Sequence, residues 1–220
     1  MILLVGDRPF DLRPTKIVAV ARNYKAHAEE MNVDLPKEPS LFLKPPSSLL
    51  ANGGEVLLPQ SSARIDHEVE LAVVMKSRAK RITTEYVKEN VLGYTILVDI
   101  TARDIQAEAK KSGMPWTVAK GYDTFAPIGP RIVPVDEIDE KNLDIWLKIN
   151  GVYKQRGNTN QMIFTVEEIV SHISHIMTLE PLDVIATGTP SGVGPMHDGD
   201  TIEAGIENIG TLRFKAARIH

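Results

Sequence analysis

The sequence predicts a mixed, strand-rich fold, a barrel or a rolled sandwich, on three observations. Strand patterns outnumber helical ones. They do not follow the βαβα alternation of a doubly wound sheet. Aromatic residues make up only 5% of the 220-residue chain, so Val, Ile and Leu must fill the core. The length fits one domain over residues 1–220, with residues 1–15 as a short lead-in strand.

Taken in order, residues 17–21 form an apolar strand. Residues 23–31 read as a short helix, stopped by Asn32 and Pro36. Residues 40–44 are extended and end at Pro45-Pro46, and Asn52-Gly53-Gly54 marks a turn. Residues 65–75 alternate and then become wholly apolar, as a strand entering a core does. A helix over 84–90, a buried strand over 94–98 and a helix over 101–111, closed by Gly113, come next. Strands at 131–133 and 143–149 lead to Asn150-Gly151, a hairpin turn into 152–155. Residues 166–177 carry the longest helical pattern, with His172 and His175 on one face as partly buried structural histidines. A strand at 182–186 enters a Gly-rich loop, and 201–207 and 211–219 close the chain as a hairpin.

Composition excludes several classes. Net charge is −4 and no basic block occurs, which argues against nucleic acid. There is no cysteine, so disulfides, thiolate zinc sites and thiol nucleophiles are absent, and a bound metal must use oxygen or imidazole. No apolar run approaches the ~18 residues that span a bilayer. The start, MILLVGDRPF, lacks the features of a signal peptide, so the expected location is the cytoplasm.

The chemistry centres on Asp66-His67-Glu68-Val69-Glu70. In a strand, residues two apart share a face, so Glu68 and Glu70 point the same way, roughly 6.5–7 Å apart at Cα. Two like charges repel, and a hard divalent cation relieves that repulsion. From spacing alone, a solvated acidic face is the commoner arrangement. Asp99 leaves a buried strand where a third ligand would stand, or it caps the next helix, a role for which Thr101 competes with Asp104 as partner. Arg103, Gln106 and Lys110 share a helix face, with Lys110 read as solvated. Lys120, in a largely uncharged stretch, either sits at the surface or stabilises a developing enolate. His27 and Glu30 are three apart on the expected helix, as a surface ion pair or a water-activating pair. The loop 188–194 matches no phosphate loop, but its amides suit a carboxylate.

Together and in this order, ARNYKAHAEE, LFLKPPSSL, DHEVELAVV, GYTILVDITARDIQ, WTVAKGYDTFAPIGP, LKINGVYKQRGNT and DVIATGTPSGVGP resemble the successive signatures of the fumarylacetoacetate hydrolase superfamily, nearest its short acylpyruvase and oxaloacetate decarboxylase branch. The resemblance implies an α+β, β-rich mixed β-sandwich roll with a few peripheral helices, in a homodimer. It implies Mg²⁺ or Mn²⁺ held by Glu68, Glu70 and Asp99. It places Lys120 beside the substrate, with Arg22, Arg103, Gln106 and Thr189 lining the same pocket, and gives His27 and Glu30 as a catalytic dyad on a lid. His67 takes no catalytic role. The expected substrate is a small 2-oxo acid, without nucleic acid or membrane as partner. The expected reaction is hydrolysis of a C–C bond in an acylpyruvate such as fumarylpyruvate, releasing pyruvate. Decarboxylation or tautomerisation of oxaloacetate is the alternative, then isomerisation of a 2-hydroxyhepta-2,4-diene-1,7-dioate, then a metal-binding β domain without catalysis.

Overall fold

The computed structural model describes residues 1–25 and 36–218. Among these, seventeen strands form three sheets. In chain order they are β1 (Ile2–Val5), β2 (Arg8–Asp11), β3 (Ile17–Ala21), β4 (Ser40–Lys44), β5 (Leu49–Ala51), β6 (Glu55–Leu58), β7 (Ile65–His67), β8 (Val69–Met75) and β9 (Val91–Val98). Then follow β10 (Thr101–Ala102), β11 (Ala126–Pro134), β12 (Asp144–Ile149), β13 (Val152–Asn158), β14 (Val184–Ala186), β15 (Gly194–Pro195), β16 (Thr201–Ile206) and β17 (Gly210–Arg218). The largest sheet runs β2-β1-β11-β9-β8-β14-β3-β4, with β5 also on β11. A second runs β13-β12-β16-β17-β6, and a small third runs β10-β7-β15. The strand-rich mixed fold expected from the pattern is the one observed.

The middle strands of the large sheet are covered on both faces. Along β8, Val69, Leu71, Val73 and Met75 face the core shared with the second sheet. Ala72 and Val74 face a second cluster with Ile17, Leu97 and Ile128. That double burial is why the sequence reads as a continuous apolar run here. The helix Val166–Ile176 starts at a reciprocal cap, in which Thr165 Oγ1 accepts from the Glu168 amide and Glu168 Oε2 accepts from that of Thr165. It buries Ile169, Val170 and Ile173 in the main core.

Several expectations shift. Residues 1–15 hold two strands, β1 and β2, turned at Gly6 with φ +57°. The single strand expected over 65–75 is two, because β7 pairs with β10 and β15 while β8 pairs with β9 and β14. The break falls at Glu68, and the next amide, Val69 N–H, donates to the Gln155 side chain at 3.1 Å. The helix expected from Thr101 begins at Arg103, since Thr101 and Ala102 pair with Asp66 and Ile65. Neither Asp99 nor Thr101 caps it; Ala102 stands at the cap without a side-chain bond. His172 is half-buried but His175 is exposed. Most of the helix expected over 23–31, with His27 and Glu30, lies outside the described residues. Among the described residues, no helix is long and apolar enough to cross a membrane.

Candidate metal centre and active site

The site forms where β8 and β9 end together. Val69 pairs with Val98, and one step further the Asp99 amide donates to the Glu68 carbonyl at 2.8 Å. This register sets Glu68 and Asp99 side by side at the sheet's edge, with Glu70 one turn of the pleat inward. Carboxylate oxygens of Glu68, Glu70 and Asp99 lie within 4.8 Å of one another, and all three residues are buried. The solvated acidic face is therefore not what the spacing produces. Beyond Glu70 the same face carries Ala72 and Val74, which are themselves covered.

Three cations hold the triad. Lys120 Nζ donates to Glu68 Oε2 at 2.9 Å and also to Asp99 Oδ2. Lys44 Nζ donates to Asp99 Oδ1 at 2.7 Å, to the Lys120 carbonyl at 2.5 Å and to that of Ile100 at 3.2 Å. Arg103 donates to Glu68 Oε1, to Gln106 Oε1 at 2.7 Å and to Asp66 Oδ2 at 2.8 Å. Lys120 and Lys44 are only 2% and 1% exposed, so Lys120 is no surface lysine. Asp66 also takes Arg64 Nε at 2.9 Å, so it aims Arg103 along the site.

The carboxyls respond differently. Burial would push Glu68 up, but Lys120 and Arg103 hold it below the usual carboxylate range. Glu70 is pushed well above that range by burial and by the charges of Asp99 and Glu68, which Lys120 and the Gly188 amide only partly offset. Burial opposes the charge of Lys120, yet Asp99 and Glu68 raise its pKa, so it stays an ammonium. Burial pulls Lys44 below its ordinary value despite Asp99.

The donor set fits a hard divalent cation. It offers three converging carboxylates, no sulfur, and one carboxyl whose ionisation burial and its neighbours' charges oppose until a cation is present. The nearby imidazole of His67 is not among the converging donors, and its Nδ1 bonds Gln155 Oε1 at 2.9 Å.

Glu70 is held from the Gly-rich loop, whose Gly188 amide donates to Oε2 at 2.7 Å. Gly188 has φ +100°, and a Cβ there would stand 2.7 Å from that of Asn23, so only glycine serves. The loop amide expected to bind a carboxylate thus binds one belonging to the protein. Thr189 follows, its hydroxyl donating to the Val69 carbonyl at 2.7 Å and accepting from Gln155 Nε2 at 2.8 Å. Gln155 also donates to the Pro190 carbonyl at 2.9 Å, so one fully buried amide joins β7, β8, β13 and the loop. Gln155→Leu is expected to lower stability by about 2–4 kcal/mol, because it orphans several buried partners at once. Urea unfolding checks this, and a loss below about 1 kcal/mol would show that the network carries little.

Arg22, Glu68, Glu70, Arg103, Gln106, Lys120 and Thr189 line one pocket, walled by Phe42 and Trp116. Asp99 lies behind Lys120, fully buried. His27 and Glu30 fall outside the described residues. Lys110, expected to be merely solvated, is an exposed residue that also lines the pocket, with Nζ 5.0 Å from the Trp116 ring centre. Sequence reasoning missed Lys44, Asp66 and Gln155. The one available signal was Lys44 itself, a charge inside the apolar segment Leu41-Phe42-Leu43-Lys44-Pro45.

Comparison with known proteins identifies the family. The family described as Fumarylacetoacetate (FAA) hydrolase C-terminal matches residues 16–216. An oxaloacetate tautomerase FAHD1, mitochondrial, of Arabidopsis thaliana is 48% identical over 93% of this chain and 92% of its own. An oxaloacetate decarboxylase, mitochondrial, of Dictyostelium discoideum is 49% identical over 89% of this chain and 90% of its own. A crystal structure of fumarylpyruvate hydrolase from Pseudomonas aeruginosa, in complex with Mn²⁺ and pyruvate, superposes with a TM-score of 0.92 at 32% identity, covering all of this chain and 96% of the other. A strand-rich mixed fold, a buried carboxylate triad and a match along nearly the whole sequence lead to one conclusion: the chain belongs to the fumarylacetoacetate hydrolase family.

Proposed function

We propose that the chain is a single catalytic domain that acts on oxaloacetate through its enolate, with keto–enol tautomerisation as the main reaction and decarboxylation beside it. The observation that carries this reading is the buried triad Glu68, Glu70 and Asp99 opening onto a pocket whose cations outnumber what the carboxylates need. Relatives near half identity bear the names of those two activities, which supports oxaloacetate ahead of the acylpyruvates.

Glu68, Glu70 and Asp99 would hold Mg²⁺ or Mn²⁺, which supplies Lewis-acid polarisation of a 2-oxo group. Lys120 stays charged, so it acts as a hydrogen-bond donor to the developing enolate oxygen and not as a base. Lys44 and Asp99 fix the Lys120 backbone and ammonium, so the donor needs no reorganisation. Arg103, held by Asp66, and Gln106, which accepts from Arg103, form the wall that orients the substrate. Tautomerisation moves one proton between C3 and the 2-oxygen. His27, of the His27–Glu30 dyad that the family resemblance implies, serves as the shuttle in this reading. Decarboxylation starts from the keto form and gives a different enolate, that of pyruvate, which the same donors would stabilise: the C3–C4 bond breaks, its electron pair moves onto the 2-oxo group, CO₂ leaves and C3 takes up a proton to give pyruvate.

The second reading is hydrolysis of an acylpyruvate, supported by the likeness to the fumarylpyruvate hydrolase structure. A panel of oxaloacetate, acetylpyruvate and fumarylpyruvate separates the two when enol absorbance and pyruvate release are followed independently. The expected result is rapid loss of the oxaloacetate enol with slower pyruvate release, and no pyruvate from either acylpyruvate. A higher kcat/KM for pyruvate release from an acylpyruvate would replace the proposal with the hydrolase.

A further inference from the structure

Among the described residues, two cations on the pocket wall make no ion pair with the triad. Lys44, Lys120 and Arg103 all pair with its carboxylates. Arg22 and Lys110 line the same pocket, yet among the described residues neither has a carboxylate partner. Their placement is built into the fold. Lys110 follows Arg103 and Gln106 on one helix face, three and seven residues on from Arg103, and its ammonium lies over Trp116, 5.0 Å from the ring centre. Arg22 holds a left-handed backbone, φ +59°, next to Asn23. The Asn23 side chain is clamped to the Phe164 amide at 2.8 Å and to the Phe164 and Thr187 carbonyls at 3.0 and 2.8 Å. Cations that share a pocket repel one another, and among the described residues no carboxylate pairs with these two, so an anionic group on a ligand would relieve them.

We infer that Arg22 and Lys110 form a subsite for a second carboxylate, so that the pocket selects 2-oxo dicarboxylates over 2-oxo acids with an apolar end. This rests on the proposed reading of the pocket as a 2-oxo-acid site. It also bears on the choice between the two oxaloacetate reactions. A carboxylate paired with two cations must give up both pairs to leave as neutral CO₂, whereas tautomerisation leaves it charged and paired. The subsite therefore favours proton exchange and restrains carbon–carbon cleavage.

The test compares oxaloacetate with 2-oxobutyrate, which has the same chain length but ends in a methyl group. Dissociation constants come from the fluorescence of Mn²⁺-loaded protein within the first second of mixing, and turnover is followed separately. Lys110→Ala is expected to weaken oxaloacetate by about tenfold, leave 2-oxobutyrate within about twofold, and raise the ratio of pyruvate released to enol consumed. Lys110→Glu is expected to weaken oxaloacetate further. Equal weakening of both acids, or of neither, would overturn the subsite. Lys110-dependent binding of oxaloacetate without tautomerisation or decarboxylation would keep the subsite and refute the proposed reaction.

Discussion

Lys120→Met is expected to lower oxaloacetate turnover by about 10²–10³-fold while the protein still takes up its divalent cation. The ammonium is the donor aimed at the enolate oxygen, and methionine fills its space without charge. The same ammonium spans Glu68 and Asp99. Removing it leaves the triad more negative, so cation binding should tighten and the rise in melting temperature on adding Mn²⁺ should grow. Turnover and thermal unfolding on one preparation check both halves. Undiminished turnover would show that Lys120 is only a counter-ion, and a lost cation response would show that the variant damages the triad instead.

Glu70→Gln is expected to abolish turnover, by about 10³-fold or more, without harming the fold. Glutamine keeps an oxygen for the Gly188 amide but cannot become an anion. Without a cation, burial and the charges of Asp99 and Glu68 favour the protonated form of Glu70 in the folded state, and glutamine imitates that form. The sign for stability follows from the raised pKa. Folding favours a proton on Glu70 that the unfolded chain releases near the ordinary glutamate value of 4.5. The metal-free protein therefore loses stability as pH rises above that value, until the folded pKa is passed. Glu70→Gln should flatten that decline, and at neutral pH the metal-free variant should be at least as stable as the unsubstituted protein. It should gain no stability from Mn²⁺. Cation affinity of the unsubstituted protein should rise with pH, because binding displaces the Glu70 proton. Urea unfolding across pH, with and without Mn²⁺, reads all of this. A Glu70→Gln protein that Mn²⁺ still stabilises would remove Glu70 from the ligand set.

Much of the fold was legible because local pattern and tertiary role coincide. Residues 17–21 and 40–44 are strands as read, the Asn150-Gly151 turn sits in its hairpin, and residues 166–176 form the long helix. The break at Glu68 was not legible, since it is made by the Gln155 side chain, 86 residues away from the Val69 amide it accepts from. The pair Glu68 and Glu70 was visible by spacing, but spacing favoured a solvated face. Arg103, Lys120 and the Gly188 loop close over them, and no window around residue 68 contains these groups. Lys44 reaches Asp99 across 55 residues and Asp66 reaches Arg103 across 37, so neither partner can be read from the local sequence. The other site residues were found through the family resemblance. Composition alone would have left Lys120 at the surface and Lys110 in solvent.

The most direct measurement follows oxaloacetate enol absorbance with protein stripped of metal and then resupplied with Mg²⁺ or Mn²⁺. No acceleration over buffer containing the same cation is expected until protein and cation are both present, and none with Glu70→Gln under any condition. Equal acceleration by stripped protein, or by Glu70→Gln, would contradict this expectation.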